Sequence, residues 1–509
     1  MLDKVGSVDG VFLKSITHTT LGRRRFALLT ALLASLLLFS CGSILPVPQQ
    51  KARFSVSSLK GNYTYNLGGT VLGLPNGYSL YHEAGSFTAD GNGSLAGVDD
   101  FMSGTTLVSG SSTGSYTINN DGTGMLTLSA PGRQIQLAIT MQSATQVYLL
   151  EVDTYATGSG GAFSQSSIAM APLSGPYVFR LYSHIVGGAS SVAIGRIIVS
   201  GGSINGNEDV AQIGTGSSHT ITGTLTQPDS NGRGTLSLTN DAGNTINEVY
   251  YAIDSNHLDF IEADSGVVGE GGGMAQTDVS FTNASIENGF TFRLGGDTAT
   301  YFGGFAALGA FTSDGNGNIP SGSLDSAVDG ATSTNESFTG TYSIDSRGRA
   351  SITLSPAGAN PNSAIAWMAD STQGFFLPQA QNAVIAGTLT QQRGDPFSPA
   401  SLQGEYSFRL LGFNGQSPKT VGAVGVMTFD GNATVTLVDF FVSQNGTLSQ
   451  NGAASGSYSI SPNGRVVTRP ITGVSKSLVL YFTSSTSGYI LFTDPGTEIA
   501  GEDTQQVPQ

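Results

Sequence analysis

The stretch LSGPYVFRL, Leu173–Leu181, decides the fold, because the chain writes it four times. The other copies are LKGNYTYNL at Leu59–Leu67, IENGFTFRL at Ile286–Leu294 and LQGEYSFRL at Leu402–Leu410. In each copy the large apolar residues fall on alternate positions, as Tyr177, Phe179 and Leu181 do. Period two places them on one face of a β-strand. The first aromatics, Tyr63, Tyr177, Phe290 and Tyr406, are 114, 113 and 116 residues apart, which makes each copy the opening of a tandem unit.

Further landmarks follow each opening in the same order. A turn reads FTADGNG at Phe87–Gly93, FTSDGNG at Phe311–Gly317 and FDGNA at Phe429–Ala433, reduced to VSGGS at Val199–Ser203 in the second copy. A short strand starts at Gly114, Gly223, Gly340 and Gly456, and a Gly turn follows at Gly122, Gly232, Gly348 and Gly464. Each copy closes on a Gly-rich segment ending in Gln165, Gln276, Gln391 or Gln505. Asp-Gly, Asn-Gly and Gly-Arg pairs punctuate runs of four to eight residues, the hairpin pattern. No helical period follows residue 50. The expected architecture is all-β: four tandem antiparallel meander domains of seven or eight short strands, at 58–165, 173–276, 286–392 and 401–506. An up-and-down barrel is expected, pairing the opening aromatic strand with the closing Gly/Gln strand, because closure removes exposed edges. A two-sheet sandwich is the alternative. Three polar linkers, Ser166–Pro172, Thr277–Ser285 and Arg393–Ala400, separate the units.

The chain has 509 residues with 70 Gly, 11% charged residues and 39% hydrophobic residues, enough to bury cores. Its one cysteine, Cys41, excludes an intrachain disulfide and Cys-rich zinc sites, so cohesion has to come from packing and sheet closure. Residues 1–40 carry five of the 21 basic and two of the 36 acidic residues, leaving a net charge of −18 beyond them. A polyanion of this kind repels nucleic acid and anionic headgroups.

Cys41 ends a segment in which Arg23-Arg24-Arg25 precede the apolar run Phe26–Phe39. At 14 residues that run is short for a membrane span, which needs about 20. The order resembles a bacterial lipoprotein signal peptide, with Leu38 and Ser40 matching the motif and Phe39 departing from its usual small residue. The resemblance implies a signal at 1–40, lipidation of Cys41, a lipid anchor and extended tether over 41–57, and, from Gly42, sorting to the outer membrane. A plain secretory signal is the alternative, and Arg23–Phe26 also resembles a twin-arginine signal. The opening strand, the FTADGNG turn and the GSY strand together resemble the tandem-repeat, β-rich lipoproteins of soil acidobacteria over residues 58–506. That likeness supplies no activity and no site residues, and no cofactor is expected.

Candidate chemistry competes with plainer readings. Asp314, Asn316, Asn318 and Asp325 have an EF-hand-like spacing, but Ile319 stands where Gly is required, and a hairpin turn accounts for the residues. Ser112 lies in a G-x-S-x-G match followed by a strand instead of the required helix. Arg180, Arg293 and Arg409, with Asn66 in the first copy, alternate with the aromatics. They suggest either a cross-strand pair with Asp100, Asp209, Asp325 and Asp439 or a clamp for a ligand carboxylate. In Asp99-Asp100 and Glu208-Asp209 adjacent residues point to opposite faces, so neither pair forms a glycosidase dyad. The pair Glu262/Asp264 is a third acidic candidate, and Arg393-Gly394-Asp395 lies in a linker. The expected function is a non-enzymatic cell-surface lipoprotein acting in binding, adhesion or envelope structure. Its partners would be the membrane through Cys41 and a glycan or protein ligand, with no catalytic residues, no metal and no nucleic acid. The alternatives are a carbohydrate-binding protein using Tyr78, Tyr81, Tyr182 or Trp367, and a hydrolase sited in one divergent copy. Cys41 at the membrane would make the fourth unit the outermost of a linear array.

Overall fold

The opening aromatic strand of each copy is paired on both sides, and this closes the repeat. Tyr63 lies opposite Phe87 on the next strand and Ser164 on the closing strand. Tyr177 lies between Ile197 and Ala275, Phe290 between Phe311 and Gln391, and Tyr406 between Met427 and Gln505. The result, in a computed structural model describing residues 53–74, 77–104, 106–166, 171–299, 304–414, 420–469 and 477–507, is four antiparallel eight-stranded barrels in tandem. The expected barrel is the observed one. In the fourth, one strand is broken into Thr447–Asn451 and Ala454–Ile460, and the circuit closes through pairing of Thr420–Asp430 with Thr434–Gln444. The strands are longer than expected, up to 15 residues in Lys60–Leu74, because they run the full height of a tilted barrel wall. Cys41 and the leader lie outside the described residues, as does the side chain of Tyr78.

Alternation fills the interiors. Tyr63, Tyr65 and Leu67 point into the first barrel, Tyr177, Phe179 and Leu181 into the second, and their equivalents into the others. Glycine makes room for the second aromatic of the first three openings. A Cβ at Gly85, Gly195 or Gly309 would run into the ring of Tyr65, Phe179 or Phe292. Side chains therefore occupy these barrels, as expected of a circumference of eight strands.

Two of the predicted linkers, and the end of the tether, prove to be parts of barrels. Phe54, Phe281 and Phe397 are buried, and their N–H groups donate to Asn120, Ser346 and Pro462. Each is followed by a single 3-10 turn, at Val56–Ser58, Asn283–Ser285 and Pro399–Ser401. These segments close the bases of the first, third and fourth barrels with apolar plugs.

The DGNG segments are Asx turns. Asp90 Oδ1 accepts from the N–H groups of Asn92 and Ser94, and Asp314 and Asp430 repeat this two and four residues on. These bonds, led at Asp314 by one from the side-chain amide of Asn318, favour the charged carboxylate and hold all three Asp residues below their usual range. The loop satisfies Asp314 itself, and Asp325 lies in a different interface, so the EF-hand count has no counterpart in space.

Residues Ala52–Gln509 form one compact unit, and the four barrels make a ring. The second strand of each barrel packs on the last three strands of the next, and the second strand of the fourth packs on those of the first. The linear array expected from Cys41 is thus overturned: the last barrel returns to the first. Apolar clusters seal each junction. They centre on Tyr251 between barrels one and two, Trp367 between two and three, Tyr481 between three and four, and Tyr148 with Phe441 between four and one.

Candidate functional site

Closing the ring leaves a central, half-open cavity of about 490 Å³, lined by all four barrels. Its wall is built from one repeated position. Asn66, Arg180, Arg293 and Arg409 follow the inward-facing aromatics Tyr65, Phe179, Phe292 and Phe408 by one residue, so they project outward, toward the ring centre. Behind each stands a glycine of the closing strand: Gly160, Gly271, Gly387 and Gly501. A Cβ at any of them would overlap the carbonyl oxygen of Asn66, Arg180, Arg293 or Arg409. The glycines of the closing strands are what let the wall approach this closely.

The cavity carries mixed charge. Arg180 Nη2 donates to Glu270 Oε1 at 2.8 Å, and Arg409 Nε to Glu502 Oε1 at 2.8 Å. Burial pushes both carboxyls up, yet the surrounding arginines outweigh it and hold them below their ordinary range. Asp259 also lines the cavity. Burial raises it to about 7, against a hydrogen bond from Asn66, and its Oδ2 has no partner. Burial keeps His82 low and therefore neutral at pH 7. Tyr182 and Ser190 both donate to Asp297 Oδ2, linking the second barrel to the third at the cavity edge.

The predicted pairing of Arg180, Arg293 and Arg409 with Asp residues of their own copies is not what forms. Asp100, Asp209 and Asp325 face the next barrel and meet a different arginine there. Arg233 grips Asp100 at 2.7 and 3.0 Å, Arg349 grips Asp209 at 2.9 and 2.6 Å, and Arg465 grips Asp325 at 2.7 and 2.6 Å. Each Asp also accepts from the junction aromatic, Tyr251, Trp367 or Tyr481. Asp439 is not their equivalent. A bulge between Val426 and Met427 shifts the register, and Phe441, opposite Val424, takes the position. On the first barrel Thr123 and Thr140 replace the arginine and the aromatic. The closing junction therefore lacks the ionic clamp. An ion pair of Arg53 with Glu405 and hydroxyl contacts hold it instead: Thr70 with Thr420 at 2.5 Å, Thr157 with Ser443 at 3.2 Å and Tyr148 with Thr504 at 3.1 Å.

All four junctions share a glutamine clasp. The amide of Gln165 donates to the carbonyls of Asn231 and Ala252, Gln276 to Arg347 and Met368, Gln392 to Asn463 and Phe482, and Gln506 to Asp121 and Met141. Each amide sits over the turn glycine of the neighbouring barrel, Gly232, Gly348, Gly464 or Gly122, all at positive φ.

The paired acids separate as alternation requires. Asp99 and Glu208 point into the first and second barrels while Asp100 and Asp209 point out. Inside the first barrel Asp99 belongs to a buried group missed from sequence. Arg133 contacts Glu83 and Glu151, Tyr65 donates to Asp99 at 2.6 Å, and Tyr81 donates to Glu151. The Arg133 guanidinium lies 4.1 Å from the centre of the Phe101 ring. Burial raises Glu83 far above its ordinary value and carries Glu151 to about 7. The legible signal was a comparison of copies: where the first has Glu83, the others have Ala193, Ala307 and Ala423. Ser112 also faces this interior without a hydrogen-bond partner. Glu262, in the second barrel, accepts from Ser183 at 3.0 Å, and burial with Asp264 nearby raises it to about 8. Tyr81 and Trp367 are buried, so they offer no exposed stacking face. Arg393, Gly394 and Asp395 are exposed as a linker tripeptide. Among the described residues no cluster of three or more His, Cys, Asp or Glu is arranged to hold a metal.

No family model matches the chain, and no curated protein does. A solved structure, kievitone hydratase from Nectria haematococca, is similar at 8% identity over 44% of this chain and 94% of that one, with a TM-score of 0.19, a likeness too slight to carry a functional argument.

Proposed function

We propose that the protein is an exported lipoprotein, anchored through Cys41 to the outer membrane, whose four-barrel ring is a non-enzymatic binding device for one small ligand in its central cavity. The carrying observation is the convergence of the same position from all four copies on one cavity of about 490 Å³. That volume lies within the range of roughly 300–1,000 Å³ typical of small-molecule sites. In the ring the four copies together line one site. Glycan recognition through Tyr81 or Trp367 loses support because both rings are buried. Two measurements test the proposal. Cys41→Ser should release the protein from the membrane fraction, and native mass spectrometry of the purified ring should detect a small molecule carried per chain. Retention of Cys41→Ser in the membrane contradicts the anchor, and catalytic turnover of a glycan or ester by the ring contradicts the non-enzymatic role.

Catalysis in one divergent copy is the second reading, and the interior of the first barrel favours it. Glu83, Asp99, Glu151 and Arg133 gather there, while the third and fourth barrels place Ala307 and Ala423, Leu324 and Phe440, and Pro378 and Phe492 at the three acidic positions. Turnover abolished by Glu151→Gln with the fold intact would support it.

A further inference from the structure

We infer that the central cavity takes a small organic carboxylate that also carries a hydrogen-bond donor, an amino acid or a hydroxy acid, with Arg293 holding its carboxylate and Asp259 its ammonium or hydroxyl. The inference rests on the binding role proposed for this cavity and adds the chemistry of the ligand.

The four equivalent wall positions are not equally satisfied. Arg180 is paired with Glu270 and Arg409 with Glu502. Asn66 is neutral, and its side-chain oxygen accepts from Gly161 at 3.3 Å. Arg293 has no acid of its own. Across the barrel wall Arg409 faces Glu502, but Arg293 faces Thr388. Its nearest carboxylate is that same Glu502, 3.9 Å away and already bonded to Arg409. A guanidinium presents five N–H donors in a planar fork matched to a carboxylate. The fork of Arg293 opens on a cavity with room for a ligand, and its side chain is 36% exposed there.

The second group is Asp259 on the strand His257–Glu262, which also lines the cavity and has one oxygen without a partner. A buried oxygen of this kind calls for a donor. The overall charge narrows the ligand class further. Acids outnumber the three arginines on the cavity wall: Glu83, Asp259, Glu270, Asp297 and Glu498 line it, and Glu502 stands beside Arg409, so the wall holds no net attraction for a simple anion such as phosphate. A molecule offering a carboxylate at one end and a donor nearby satisfies both open groups without adding uncompensated charge. The plainer account is that Arg293 is a loose partner of Glu502, a weak contact at this distance and exposure.

The test is calorimetric titration of the full ring with L-alanine, glycolate, acetate, glucose and inorganic phosphate. L-alanine or glycolate should bind, acetate more weakly, and glucose and phosphate not at all. Arg293→Asn, which copies the residue the first barrel uses at Asn66, should fold and lose at least tenfold in affinity. Arg293→Lys should recover part of the loss. Asp259→Asn should discriminate against L-alanine more than against acetate. The inference is overturned if no carboxylate binds, or if Arg293→Asn binds as the wild type does. Binding of glucose alone would overturn the carboxylate chemistry while leaving the binding role of the cavity standing.

Discussion

The side-chain amide of Gln506 donates to the carbonyls of Asp121 and Met141, at 2.9 Å each, and so ties the last described strand to the first barrel. No peptide bond crosses this junction, and no Arg–Asp clamp reinforces it. Gln506→Ala leaves two buried carbonyls short of a donor, a loss of about 1–3 kcal/mol. The expected outcome is a lower unfolding temperature and a larger radius of gyration by small-angle scattering, as the ring opens at this junction. Gln276→Ala, at a junction held also by Arg349 and Asp209, should lower stability without enlarging the particle. Equal scattering from all three proteins would show that the clasp does not govern closure.

Asp209 receives Arg349, Trp367 and Ser218 together and is buried. Asp209→Ala strands the arginine and the indole N–H at a sealed junction, which should cost about 3 kcal/mol, at the low end for a broken buried pair because Arg349 keeps some contact with water. Asp439→Ala, at the residue sequence spacing pairs with Asp209, should change stability by less than about 0.5 kcal/mol, since Asp439 has only weak contacts with Gln450 at 3.4 Å. Chemical denaturation of the two variants checks the contrast, and equal losses would mean that Asp439 bears as much of its junction as Asp209 does.

That contrast also marks how far the residues could be read in one dimension. Period two in Tyr177–Leu181 and the landmarks at fixed spacing fix the strands, the copy number and the closure of each barrel. Those features depend on local alternation and on neighbours in sequence. The ring depends on contacts such as Gln506 with Asp121, which no local pattern signals. One-residue errors are also costly in a sheet, because the face inverts. Gln391 donates to Glu287 on the barrel's own rim, whereas its neighbour Gln392 reaches the next barrel. The bulge before Met427 likewise moved Asp439 out of the position counted for it. The wall arginines were visible as a repeated position pointing away from the aromatics. What they face became definable only once the ring had closed.

Several buried acids make stability depend on pH in an unusual direction. Asp503 is fully buried in the fourth barrel, both its oxygens lack partners, and burial with Glu502 nearby carries it to about 8. Glu262 is likewise raised to about 8. In the unfolded chain such groups ionise near about 4. The folded state therefore keeps protons that the unfolded state releases as pH rises from about 4 to about 8. Its stability is full below that window, falls across it, and levels off above. Each group sets a slope of up to about 1.4 kcal/mol per pH unit. Urea midpoints should be higher at pH 5 than at pH 8. Asp503→Asn should raise the pH 8 midpoint and leave pH 4 nearly unchanged. A wild-type midpoint that is higher at pH 8 would contradict the assignment.

The interior of the first barrel offers the sharpest separation between a folding role and a functional one. Burying Arg133 with Glu83, Asp99 and Glu151 removes charges from water, and removing one partner leaves the others uncompensated. Arg133→Leu alone should therefore cost about 3–5 kcal/mol. The sister barrels show that the fold does not require the group, since Ala307, Leu324 and Pro378 occupy the corresponding acidic positions in the third. Replacing Arg133 by Leu together with Glu83→Ala, Asp99→Leu and Glu151→Leu should restore stability to the wild-type level or above it, as apolar replacements of buried ion pairs often do. Thermal denaturation of the single and combined variants measures this directly. A combined variant as unstable as Arg133→Leu would make the cluster part of the scaffold. A stable one would leave the charges without a structural reason and point to chemistry performed inside the first barrel.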